Sequence, residues 1–137
     1  MGFGDAVKTC LRKYVTFSGR APRSEFWWFV LFVYVAGLVC ALIDLSLFGE
    51  TVTMTTDTGA SVSSETQIAP FVSIFALAMF LPYVSVAVRR LHDIDRTGWW
   101  YWLVLVPLIG VIVLIVFFVS KGTVGPNRYG EDPLGGA

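Results

Sequence analysis

Charge is scarce in this sequence. Asp, Glu, Lys and Arg together make up 15% of its 137 residues, against roughly 25% in an average soluble protein. Hydrophobic residues reach 55%, and a soluble domain of this size would have to expose large apolar patches to accommodate them. Net charge is zero, which singles out neither an acidic nor a basic partner. Cysteine is nearly absent too. Cys10 lies in a basic N-terminal segment and Cys40 inside an apolar block, so the two are expected at different depths and without a disulfide. No Cys/His spacing suggests a metal, and both cysteines read as small buried hydrophobes. The single histidine, His92, excludes any site built on several imidazoles. There is no H-E-x-x-H, no nucleotide-binding glycine loop and no serine nucleophile motif. The sequence therefore predicts no enzyme and no cofactor.

What is present is three apolar blocks. Phe26–Phe48, Ile68–Val88 and Trp99–Val119 are each long enough, as helices, to cross a hydrocarbon core of ~30 Å. Helix is the state that satisfies every backbone group within a single span. The expected fold is an all-α integral membrane protein of three transmembrane helices in one membrane domain. A cleaved signal peptide is not expected, because the first 25 residues are polar and the first block is long. Leu38-Val39-Cys40 resembles a lipoprotein processing site, but Val39 stands where a small residue is wanted.

Lys and Arg set the orientation. Lys8, Arg12, Lys13, Arg20 and Arg23 precede the first block, and Arg89, Arg90 and Arg96 lie in the stretch 89–98 between the second and third. The Thr/Ser-rich loop 49–67 has none. This predicts a cytoplasmic N-terminus, a cytoplasmic charged loop 89–98 and an outward polar loop. The third block is interrupted by Pro107-Leu-Ile-Gly110, where the missing proline donor kinks or breaks a helix. A kinked full span is the favoured reading, and a re-entrant hairpin is the alternative. The hairpin would return the Gly/Pro-rich tail, residues 120–137, to the cytoplasm.

Before the first block, Phe3, Val7, Cys10, Leu11 and Tyr14 recur at helical spacing, with Lys8, Arg12 and Lys13 on the other face. That pattern predicts an amphipathic interfacial helix over residues 3–15. Ser24 is placed to cap the first span. Two charged stretches then end in paired tryptophans, Trp27-Trp28 and Trp99-Trp100, residues that favour the water–lipid boundary. The predicted topology brings these stretches to one membrane face. Arg20, Arg23, Glu25, Arg89, Arg90, His92, Asp93, Asp95 and Arg96 form the candidate cluster.

The segments FSGRAPRSEFWWF and RRLHDIDRTGWW, the following LVPLIG and the tail GTVGPNRYGEDP resemble the domain of unknown function 805 (DUF805) family of small bacterial inner-membrane proteins. The resemblance covers nearly the whole chain except the outward loop. It implies a multi-pass protein of the bacterial inner membrane and brings no established activity with it.

For the cluster, the plain reading is a belt of arginine–carboxylate pairs that fixes helix packing. The functional reading is a pocket for an anionic lipid headgroup, drawn by the negative leaflet potential. Catalysis or metal binding by His92, Asp93 and Asp95 is the weakest reading, because adjacent residues on a helix diverge. Asp44 is the one ionisable residue within a block, which by itself raises transport. Three helices do not enclose a solute path, so a channel or carrier has to be an oligomer, and Gly37 with Ala41 offers a small-xxx-small step for one. No nucleic-acid module is visible. The expected role is a non-enzymatic lipid- or protein-binding membrane component, acting as a homo-oligomer or beside a membrane-protein partner. The alternative is an oligomeric transporter or channel subunit.

Overall fold

Two of the three apolar blocks become helices long enough to cross a membrane. The computed structural model describes residues 2–57, 59–66 and 69–134, the side chains of 50–56 and 60–66 excepted. α1 is Phe3–Arg12, α2 is Arg23–Phe48 and α3 is Pro70–Asp93. The 26 residues of α2 and 24 of α3 rise ~39 and ~36 Å, more than a hydrocarbon core of ~30 Å. Their apolar side chains point outward. Leu38 is 61% exposed and Leu77 is 78% exposed, the reverse of a helix at the centre of a soluble core.

Local sequence fixes where these helices begin and end. α2 starts directly after Pro22, whose carbonyl accepts from Phe26 N–H. Ser24 therefore lies inside the first turn and does not precede it. α3 begins with Pro70, at the position where the missing N–H removes no helical bond. The expected start, Ile68, lies outside the described residues. α3 also runs past Val88 to Asp93, so Arg89, Arg90, His92 and Asp93 stand on a rigid helix end and not in a loop. α1 stops at Arg12, short of the expected residue 15. It carries Asp5 in its first turn and Arg12 in its last, both favourable to the helix dipole.

The third block is not one span. Gly98–Leu105 is a 3-10 helix and Ile109–Val119 is α4. Pro107 biases the residue before it toward extended backbone, and Val106 has φ −87° and ψ 112°. Leu108 then takes φ +63° and ψ −65°, and Ile109 N–H donates to the Pro107 carbonyl at 2.7 Å. This is the tight γ-turn that a leucine adopts only under strain. The two arms fold against each other. Trp100 meets Phe117 edge-on at 5.7 Å, and a Cβ on Gly110 would strike the Leu103 carbonyl. The expected kinked full span is thus replaced by the hairpin, because the turn at 106–108 reverses the chain. α4 alone covers ~16 Å, about half a hydrocarbon core.

The polar segment after α2 differs from the expected loop as well. β1 (Gly49–Thr56) pairs antiparallel with β2 (Gly59–Thr66), in register from Gly49↔Thr66 to Thr56↔Gly59. Its β-branched threonines favour extended backbone.

The chain divides into two compact units, 1–32 with 80–137, and 33–79. In the first, Ala6, Cys10, Phe26, Phe29, Val86, Leu91 and Phe118 are buried together with several charged residues. In the second, Asp44 is buried, and its carboxylate accepts from Phe71 and Val72 N–H at 3.0 and 2.9 Å. These are orphan donors of the first turn of α3, and an acid is favoured there by the helix dipole. Gly37 faces Phe75 of the same chain, where a Cβ would lie 3.9 Å from the ring.

Candidate functional site

Three chain segments meet at the end of α3 in the first unit. The α1–α2 linker supplies Arg20 and Ala21, α3 supplies Arg89, Arg90, His92 and Asp93, and the chain after α4 supplies backbone carbonyls. Ala21 N–H donates to the Arg89 carbonyl at 3.0 Å, which ties the linker to the last part of α3.

Asp93 is the centre. Its Oδ1 accepts from Arg20 Nε at 3.0 Å and its Oδ2 from Arg90 Nη1 at 2.6 Å. All three residues are buried. Two guanidiniums around one carboxylate leave an excess positive charge, and backbone oxygens take it up. Arg20 also donates to the carbonyls of Thr123 at 2.5 Å and Gly125 at 2.7 Å. Arg90 donates to Phe118 O at 3.1 Å and to Ser120 O. Arg23 donates to Val119 O and Trp27 Nε1 to Phe118 O, each at 3.2 Å. The last carbonyls of α4, which no intrahelical donor can reach, are thereby capped by side chains of α2 and α3.

The tail continues over the same helix end. Thr123 N–H donates to Asp93 O at 2.7 Å, and Asn127 Nδ2 donates to His92 O at 3.0 Å. Gly122 lies so close to the Asp93 carboxylate that any Cβ would collide with it. His92 Nδ1 lies 2.9 Å from Gly19 O, which requires the proton on that nitrogen, and its ring stacks on Tyr129 at 4.0 Å. His92 is thus turned to Gly19 and Tyr129 and makes no pair with Asp93 or Asp95. Among the described residues, no group of three His, Cys, Asp or Glu is arranged to hold a metal ion.

A second buried pair lies beside the first. Arg89 Nη1 donates to Glu25 Oε1 at 2.5 Å, and both residues are buried. Arg89 Nε and Nη2 find no partner among the described residues. Cys10 Sγ lies 3.7 Å from the same Glu25 oxygen. Burial first, and then the Glu25 charge, push the Cys10 thiol up to about 12, so it stays protonated and unreactive.

Of the nine cluster residues expected from sequence, Arg20, Glu25, Arg89, Arg90, His92 and Asp93 are buried. The other three lie at the edge. Arg23 is exposed, and Asp95 pairs with Arg128 at 3.1 Å in an exposed bridge. The Arg96 guanidinium sits over the Phe117 ring at 4.4 Å and the Trp100 ring at 5.1 Å. Sequence reasoning missed Cys10 beside Glu25, the tail residues Asn127 and Tyr129, and Ser85. The Ser85 hydroxyl lies 3.0 Å from Lys13 O and 2.6 Å from Thr16 O. Only Ser85 carried a signal, and a faint one, since Ser73 and Tyr83 stand in the same apolar run.

The fold and site define a small membrane protein with apolar helices, tied at one end by an internal arginine–carboxylate knot. The chain belongs to the family described as "Protein of unknown function (DUF805)", whose model matches residues 14–131. It is 43% identical over 128 residues to inner membrane protein YhaI of Escherichia coli (strain K12), covering 93% of each chain. It is 39% identical over 127 residues to inner membrane protein YhaH of the same strain, covering 90% of this chain and 91% of that relative. No solved structure matches it. Neither the family nor these relatives indicate an enzymatic activity.

Proposed function

We propose that this chain is a non-enzymatic component of the bacterial inner membrane that binds anionic phospholipid on a basic interfacial face, with its N-terminus cytoplasmic. One observation carries the reading, the partition of the cations. Arg20, Arg89 and Arg90 are buried and engaged with the chain itself, so the cluster is a knot and not an open headgroup pocket. Lys8, Arg12, Lys13 and Arg23 are exposed, next to exposed Phe3, Leu11, Phe17, Trp27 and Trp28. Exposed cations beside exposed aromatic and aliphatic side chains suit a membrane interface. Each such cation near an anionic leaflet contributes about 1 kcal/mol.

All ten Lys and Arg residues belong to 1–32 and 80–137, which supports a cytoplasmic placement of that part. The transporter reading has less support, because the Asp44 carboxylate is engaged in capping α3. The test is native mass spectrometry of the detergent-extracted chain given phosphatidylglycerol or phosphatidylcholine. Phosphatidylglycerol should stay bound at fixed stoichiometry and be lost in Arg12→Gln/Lys13→Gln. Equal retention of both lipids, or retention untouched by the double substitution, would count decisively against this role.

A further inference from the structure

We propose that a cleft between α3 and the 3-10 helix holds one acyl chain of that anionic phospholipid, an inference that rests on the lipid-binding reading above. Phe80, Val84 and Val88 recur every four residues and so share one face of α3. With Trp102 and Leu105 of the 3-10 helix, and Phe17 of the α1–α2 linker, they line a cleft of about 810 Å³. That is within the range of small-molecule sites, roughly 300–1,000 Å³. From Phe80 to Val88 the wall extends ~12 Å along the helix axis. The lining is predominantly apolar and aromatic, so it suits hydrocarbon. A helix from a second copy is ~10–12 Å across with its side chains and needs an open trough.

Apolar lining alone does not select an occupant, because lipid tails gain nothing from leaving other lipid tails. Selection needs a charged anchor near the cleft. The structure supplies it through Ser85, whose hydroxyl lies within hydrogen-bond reach of the Lys13 and Thr16 carbonyls. This contact holds residues 13–16 against α3 one residue beyond Val84, immediately before Phe17 enters the lining. The backbone of Lys13, a residue exposed like Arg12 beside it, thus lies against the helix that walls the cleft. The charge of Arg12 and Lys13 complements a phosphate, and the occupant is a diacyl lipid with an anionic head.

The experiment uses the full chain in vesicles of phosphatidylglycerol bearing a photoreactive diazirine in one acyl chain, with adducts mapped by mass spectrometry. Adducts should concentrate on Phe80, Val84 and Trp102, and excess unlabelled phosphatidylglycerol should reduce them at least tenfold. Val84→Trp fills the cleft and should abolish them, while Val84→Ala, which leaves room, should keep them. Adducts spread evenly over exposed positions such as Leu38 and Ile112 would mark ordinary boundary lipid and overturn the proposal. So would equal labelling of the two Val84 variants, or chain-to-chain cross-links through Val84→Cys, which would mark a second copy as the occupant. If phosphatidylglycerol is retained through Arg12 and Lys13 but the adducts scatter, the cleft fails and the broader role stands. If none is retained at all, both fail.

Discussion

Glu25 and Arg89 illustrate why a buried charge pair is better understood by breaking it than by counting it. Taking one partner away leaves the other charge buried and unpaired, at a cost of about 3–5 kcal/mol, whereas replacing both by apolar residues of similar volume is often neutral or stabilising. Arg89 already has two nitrogens without a partner among the described residues, so its pairing compensates burial incompletely. Glu25→Leu alone should therefore lower thermal stability in detergent strongly, while Glu25→Leu/Arg89→Met should return it to the native value or above. A double variant as unstable as the single one would show that the pair itself holds this part together. Cys10 gives a pH test at the same spot. Its thiol is raised from 9.0 to about 12, so the folded chain keeps a proton that the unfolded chain loses above about pH 9. Stability should fall as pH rises from about 9 toward 12. At pH 8 the Cys10 thiol therefore stays protonated, and alkylation should be negligible until the chain unfolds. Rapid alkylation of the folded protein at pH 8 would contradict the burial. At this scale six of the nine charged or polar residues grouped from sequence, Arg20, Glu25, Arg89, Arg90, His92 and Asp93, are buried. The sequence did not disclose their partners, since Phe118, Ser120, Thr123 and Gly125 contribute backbone carbonyls, and any residue type carries one.

Helix ends explain most of what the polar residues do at the scale of elements. Asp44 looks like a transport residue when read as a charge inside an apolar block, but its carboxylate accepts two orphan donors of α3. Asp44→Ala should cost roughly 1–2 kcal/mol, the usual loss for a cap, with Asp44→Asn losing less because its amide oxygen still accepts. Thermal unfolding of the two variants checks this, and equal losses would mean that the negative charge matters more than the hydrogen bonds. α4 is capped at its other end by Arg23, Trp27 and Arg90, residues distant in sequence, so periodicity alone had no means of finding that cap. The two spans were legible because apolar runs of that length have few alternatives. The hairpin at 49–66 carried only a faint signal, because Thr51-Val52-Thr53-Met54-Thr55 alternates polar and apolar residues as a strand does, but so short a run among Thr, Ser and Gly is equally that of a polar loop. The break at Pro107 was legible, but its outcome depended on Gly110. Only a residue without a Cβ lets α4 approach Leu103, so Gly110→Ala should pry the arms apart. Faster proteolysis after Lys121 in that variant would report the released tail, and an unchanged rate would mean the arms hold without close contact.

A hairpin in place of a third span would give the chain a different relation to the membrane, and the whole molecule offers the test. The turn at 106–108 sends α4 back toward the end from which the 3-10 helix departs, and Arg20, Asp93 and Asn127 then fix the tail to the end of α3. The tail therefore belongs with the N-terminal segment and the turn at 94–97, on whichever side of the bilayer they lie. A kinked full span requires the opposite, with the tail beside the 49–66 hairpin. Single cysteines at Lys8, Asp57 and Val124, all exposed positions, separate the two in a Cys10→Ala/Cys40→Ala background. Added to intact spheroplasts, a membrane-impermeant maleimide should label only Asp57→Cys, and Lys8→Cys and Val124→Cys should react only after lysis. Labelling of Val124→Cys together with Asp57→Cys in intact cells would show a third crossing. It would also separate the tail from Arg20 and dissolve the knot on which the packing of this end depends. Because the ten basic residues all lie outside 33–79, the hairpin lets every one of them obey the positive-inside rule at once. A full span would strand Lys121 and Arg128 on the far side.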